Sequence, residues 1–256
     1  MKHPKGVRPA AAAFFAFFLF AVFPLAAQPA VFPSLEPDGR AAVYAGAGPD
    51  YSWELLAEIG LWASGSGPAD SGTDQARLIE RIRAGAAELK ADPLLPADPA
   101  ERGEYVLSFM HKKFLKSYSL IQTRLDTLLE NGRYNCVSSA VLYLVLAQSA
   151  GLDVRGVMTK DHAFASVNIN GELVDVETTN PYGFNPGNRK EFHDGFGRLT
   201  GFAYVPAANY RDRSAITPIE LVSLVFSNRI ADLEKRGRFA EAVPLAISRA
   251  ALLEGR

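Results

Sequence analysis

The chain has 256 residues and an apolar fraction of 48%, enough for one comfortable domain with an appendage and a well-filled core. Lys and Arg number 27 and Asp and Glu 28, a formal net charge of −1, which leaves neither the basic excess of a nucleic-acid binder nor an acidic solvating block. One cysteine and four histidines, with no HxxxH pair, exclude the usual zinc patterns, and the absence of GxxxxGK[ST] or GxGxxG excludes the common phosphate loops, so no metal or other cofactor is expected.

At the start, Lys2, Lys5 and Arg8 precede an unbroken apolar run over residues 10–23, followed by Pro24 and the small residues Ala26 and Ala27. This is the layout of a secretory signal peptide over residues 1–27, with cleavage expected near Ala27. The run is shorter than the ~20 residues a spanning helix needs; left uncleaved, it would anchor the chain at a membrane. The expected location is exported, periplasmic or extracellular. No cysteine follows the run, which excludes a lipid-modified amino terminus.

Residues 28–50, rich in Pro, Gly and Ala, read as a linker. Asp50 is the expected cap of a short helix through Trp62, and a surface helix is expected over residues 75–90. The prolines of residues 91–103 end it, and further helices are expected over residues 104–116 and 120–129, the last stopped by Asn131-Gly132. Residues 136–150 form a helix apolar on most faces, with Asn135 as N-cap and Gly151 as stop, so it is central.

From there the apolar period changes from that of a helix to that of strands. A short strand is expected over residues 154–159, and residues 162–169 and 172–178 flank Asn170-Gly171, the strongest two-residue hairpin signal. Residues 180–198 read as irregular, with Tyr182, Phe184, Arg189 and His193 as candidates for a substrate wall, and residues 201–206 suggest one more strand. Helices followed by an antiparallel meander give an α+β domain over residues 51–210. Two helices over residues 219–236 and 239–253 then make a helical hairpin in residues 211–256 that would pack on the domain or meet a protein partner.

Cys136 lies in the first turn of the central helix, where unpaired N–H groups and the positive end of the macrodipole favour an anion. A thiol there, an imidazole at His162 and a carboxylate at Asp175 or Glu177 are the parts of a cysteine nucleophile with an oriented base. The hairpin decides between the acids. A two-residue loop at Asn170-Gly171 pairs Ile169 with Glu172, sets Ser166 opposite Asp175 and Phe164 opposite Glu177, and leaves Glu177 diagonal to His162 at ~7 Å. Asp175 is four residues further along, ~13 Å at strand rise, and takes the role only if the hairpin carries a bulge.

The glycine-containing turn before Cys136, "GLDVRGV", "HAFASV" and "LVDVETT" together resemble the transglutaminase-like superfamily over roughly residues 105–204. The resemblance implies a papain-like core with a Cys–His–acid triad in which Cys136 is the nucleophile, His162 the base and Glu177 stands where the family usually has aspartate. It also implies an upstream aromatic or amide that helps bind the oxyanion, with Tyr134 and Asn131 as candidates. The implied activity is thiol-dependent acyl transfer, with hydrolysis of peptide or peptidoglycan-type amide bonds as the expected outcome and a peptide or protein as substrate. The alternative is a catalytically silent member that binds a partner. At the carboxyl end, "NRIADLEKRGRFAEAVPLAISRAALL" resembles one tetratricopeptide repeat.

Overall fold

The computed structural model describes residues 37–48, 50–66, 75–187, 189–201 and 212–254. The expected secretory segment lies outside these residues, as does the strand expected at 201–206 apart from Gly201. No helix among the described residues is long and apolar enough to cross a membrane.

Within the stretch expected as a linker, Asp38 accepts from the Arg40 N–H and opens α1 (Gly39–Ala45). Seven residues do not make a stable helix alone. Tertiary contacts hold this one: Trp62 donates its indole N–H to Asp38 at 3.1 Å, and the Tyr44 and Trp62 rings lie 5.3 Å apart. Trp62 belongs to α2 (Trp53–Ser64), which is capped by Ser52 rather than Asp50. After α3 (Gln75–Ala91), the proline-rich connection also starts the next helix. Asp98 caps α4 (Pro99–Lys113) and Pro99 fills its first turn, where no N–H is needed, so α4 begins five residues earlier than its apolar spacing suggests.

Two short strands flank a short helix. They are β1 (Ser117–Tyr118) and β2 (Arg133–Tyr134), paired in parallel on either side of α5 (Leu125–Asn131). The helix expected over 120–129 therefore starts at Leu125, and Leu120 and Ile121 sit in an exposed turn before it. Then comes α6 (Cys136–Ser149), in which every residue except Gln148 is buried. Asn135 and Ser138 cap it reciprocally. A helix apolar all round needs cover on all sides, and α6 gets it from α2, α3, α4 and α5 together with the sheet.

That sheet contains β3 (Val154–Met158), β4 (Ala163–Ile169) and β5 (Glu172–Val176), with the edge strand β6 (Ser214–Ile216) on β3. It is antiparallel throughout in the order β5-β4-β3-β6, so the fold is α+β. Asn170 and Gly171 both have positive φ, 54° and 91°, as a two-residue turn requires. The register follows: Ile169 faces Glu172, Ser166 faces Asp175 and Ala165 faces Val176.

Residues 180–198, expected to be irregular, hold α7 (Lys190–Thr200). Its glycines hide a stripe at i, i+4 and i+8, in which Phe192, Phe196 and Thr200 are buried. The final hairpin is α8 (Pro218–Lys235) and α9 (Phe239–Leu252). It is not set apart at residue 211. The strand β6 joins the sheet at one edge, and α8 packs on α2, α6 and β3.

Candidate functional site

The local sequence explains how Cys136 reaches its position. Gly132 ends α5 in the left-handed conformation, β2 runs for two residues beside β1, and Asn135 caps α6 so that Cys136 is its first residue. Cys136 is a free thiol with 9% of its surface exposed. His162 sits one residue before β4, fixed by a tight turn in which the Thr159 N–H and Oγ1 both reach the His162 carbonyl, at 2.8 and 3.2 Å. The strand β5 ends at Val176, and Glu177 follows it.

These three side chains meet. The Nε2 atom of His162 lies 2.5 Å from Oε2 of Glu177. The Cys136 sulfur is close enough to the imidazole to help raise its pKa, and both residues line one cleft. Burial opposes a charge on His162 but is outweighed by the Glu177 carboxylate, its hydrogen bond to the ring and the nearby Cys136 sulfur, so its pKa is held well above the ordinary histidine value. Glu177 is almost fully buried, at 1% exposed, and its Oε1 accepts from Thr179 N at 3.2 Å and Thr179 Oγ1 at 2.8 Å. The carboxylate is thereby fixed at both ends.

Asp175 is placed elsewhere. Arg213 holds it in a bidentate ion pair, with Nη1 2.7 Å from Oδ2 and Nη2 on Oδ1. The same guanidinium lies 5.4 Å from the Phe164 ring, and Phe164 packs 5.8 Å from the His162 ring. Asp175 therefore supports the column on which His162 rests and does not orient it. The two upstream candidates are also committed to the backbone. Tyr134 is buried and donates its hydroxyl to the Thr179 carbonyl at 3.3 Å, while Asn131 is exposed and its Oδ1 accepts from Arg133 N at 3.0 Å.

Three residues around the acid were not legible as site residues. His111 on α4 has its Nε2 at 3.0 Å from the Thr178 carbonyl; a carbonyl only accepts, so Nε2 carries the proton. Burial holds its pKa down, to about 4. Ser139 in α6 donates to the Asn135 carbonyl at 2.8 Å and shares a second 2.8 Å hydrogen bond with Thr178 Oγ1. His111, Ser139 and Tyr134 thus pin Thr178 and Thr179 from three elements. Tyr118 stacks edge-on to Tyr134, its ring centroid 5.8 Å away, and its buried hydroxyl has no hydrogen-bond partner among the described residues. Its pKa is raised, first by burial and then by the nearby charges of Cys136 and Glu177. The only advance signal was the aromatic pair itself, since Tyr118 and Tyr134 face each other across the β1–β2 pair.

The acid loop also depends on a close approach. A Cβ at Gly183 would lie 1.9 Å from the Glu177 carbonyl oxygen, and Gly183 itself exchanges backbone hydrogen bonds with Glu177 and Asn180. Only glycine fits there.

Cys136 and His162 open on a cleft of about 520 Å³. Its walls are the turn before α5, the β3–β4 turn and one face of α8 carrying Leu224, Asn228, Ala231 and Lys235. The residues expected as a substrate wall in 180–198 do not line it. Phe184 is buried against Val176 and Gly103, Arg189 pairs with Glu104, His193 reaches the Gly187 carbonyl, and Tyr182 lies exposed outside the cleft. Among the described residues no group of three or more His, Cys, Asp or Glu could hold a metal ion.

No family model and no curated protein matches the chain. A crystal structure of menin, reported to reveal its binding site for the Mixed Lineage Leukemia (MLL) protein, aligns with a TM-score of 0.48 and 16% identity. The alignment covers 85% of this chain and 57% of the menin chain. At that level the likeness supports no conclusion about fold or function.

Proposed function

We propose that the chain is a thiol-dependent acyl-transfer enzyme with a transglutaminase-like, papain-like core, in which Cys136 is the nucleophile, His162 the acid–base group and Glu177 its orienting acid. The observation that carries this reading is the Glu177–His162 hydrogen bond, with His162 and Cys136 at the head of α6 lining one cleft. The substrate class is peptide or peptidoglycan-type amides, and the layout of the amino-terminal segment supports export.

Chemically, the Cys136 sulfur attacks the amide carbonyl, forming the C–S bond and an oxyanion beside the unpaired N–H groups of the first turn of α6. The imidazolium of His162 gives its Nδ1 proton to the leaving nitrogen, the C–N bond breaks, and a thioester remains. A water then gives its proton to His162 as it attacks the thioester. The acid leaves, and the proton returns the pair to its starting state. Glu177 holds the ring and stabilises its charge throughout without taking the proton.

The reading is tested by incubating the protein with p-nitrophenyl acetate. Acetyl transfer to Cys136, located by peptide mass spectrometry and absent in Cys136→Ser, is the expected result. Release of acetate into water rather than onto an added primary amine identifies a hydrolase. Failure to acylate leaves a binding module as the reading.

A further inference from the structure

Three large apolar side chains stand exposed around the mouth of the Cys136–His162 cleft: Leu120 at 57%, Ile121 at 78% and Met158 at 39%. They come from the turn before α5 and from the end of β3, so their meeting at one site is a product of the fold and not of one greasy stretch. Solvent exposure of an aliphatic side chain is common singly, while a group of them around a concave site marks a surface that is covered in use. The charged residues of the same cleft are mixed, with Lys160 and Lys235 against Asp161 and Asp232, so neither sign is selected by the walls. The volume is within the ~300–1,000 Å³ of sites for small ligands or a few residues of chain, and too small for a folded domain.

Resting on the acyl-transfer reading, we infer that the cleft selects acyl donors that are extended peptides carrying a bulky aliphatic side chain within one residue of the reacting carbonyl, which docks on Leu120, Ile121 and Met158. The specificity contact is then dispersion and dehydration, with the charge of the neighbouring residues immaterial. An aliphatic pocket discriminates by size, about 10- to 200-fold per methylene gained or lost, and weakly by an added hydroxyl.

The test uses chloromethyl ketones, which alkylate the thiolate with loss of chloride. Acetyl-Leu-Gly, acetyl-Gly-Leu, acetyl-Gly-Gly, acetyl-Glu-Gly and acetyl-Lys-Gly chloromethyl ketones are reacted with the full-length protein. Each rate at Cys136 is divided by the iodoacetamide rate of the same protein. At least one leucyl reagent is expected to exceed the glycyl, glutamyl and lysyl reagents by about tenfold or more, and Ile121→Ser, at a site open to solvent, is expected to lose most of that margin. Equal ratios across the five reagents, a faster charged reagent, or a leucyl margin untouched by both Ile121→Ser and Met158→Ser overturns the inference and leaves the acyl-transfer reading standing. A thiol inert to iodoacetamide as well overturns that reading and the inference with it.

Discussion

Glu177 reaches His162 with one carboxylate oxygen, at 2.5 Å, and gives the other to Thr179. Two residues earlier on the same side of β5, Asp175 is spent on Arg213. Asp175 in β5 and Glu177 just past its end therefore have separate tasks, one tying down the aromatic ring beneath the imidazole and the other orienting the imidazole.

Glu177→Gln keeps the shape and removes the charge that holds His162 protonated. Acylation rates are expected to fall by about 10²–10⁴-fold, as for loss of an orienting carboxylate in other triads. Because the carboxylate is what raises the His162 pKa, its loss also moves the alkaline limb of the pH–rate profile downward toward the ordinary histidine range. A profile that does not move contradicts the assignment.

Asp175→Asn acts on stability instead. It leaves Arg213, itself largely buried, with a neutral partner, and breaking such a pair costs about 3 kcal/mol. A lowered Tm with little change in acylation per folded molecule is expected. The reverse pattern would return Asp175 to the site.

His111 gives a stability–pH signature of known sign. Its folded pKa is lowered from 6.5 to about 4, so between those values the unfolded chain binds the extra proton and stability falls as the pH falls. The contribution is full above about pH 6.5 and lost by about pH 4, on the order of 3 kcal/mol for this one group. The Glu177 charge and the Tyr134 ring are the groups that face His111. In His111→Gln, which keeps a donor for the Thr178 carbonyl, the slope of Tm against pH between 4 and 6.5 is expected to flatten.

Two further substitutions separate packing from polar satisfaction. Tyr118→Phe removes a buried hydroxyl that has no partner among the described residues, so Tm is expected to hold or rise, by up to about 1 kcal/mol of stability. Gly183→Ala drives a methyl into the Glu177 carbonyl and is expected to cost about 3 kcal/mol or more and to lower acylation, because the displaced group is the backbone of the orienting acid.

The part of this site that was legible came from rules with a fixed period. Asn170-Gly171 sets a two-residue loop, the loop sets the parity of β4 and β5, and parity places Glu177 beside His162 and Asp175 away from it. What was not legible depends on separate elements meeting. His111, Ser139 and Tyr118 lie 66, 38 and 59 residues before Glu177 by their numbers, and nothing in their own neighbourhoods points at an acid loop. Composition also misled. The glycines of residues 180–198 masked the Phe192–Phe196–Thr200 stripe of α7, and the three-residue strand β6 is too short and too exposed to announce itself. The helix α8 read as part of an appendage because its apolar face fits a helical hairpin equally well; only packing on β3 and α6 turns it into a wall of the cleft.

The central claim is that Cys136 is an activated nucleophile paired with His162, and as the sole cysteine it can be followed without ambiguity. Iodoacetamide at pH 6 measures this directly. Rapid stoichiometric labelling of the native protein, lost in His162→Ala and weakened in Glu177→Gln, is the predicted result. A thiol that reacts only after denaturation, or that labels at the same rate without His162, would contradict it.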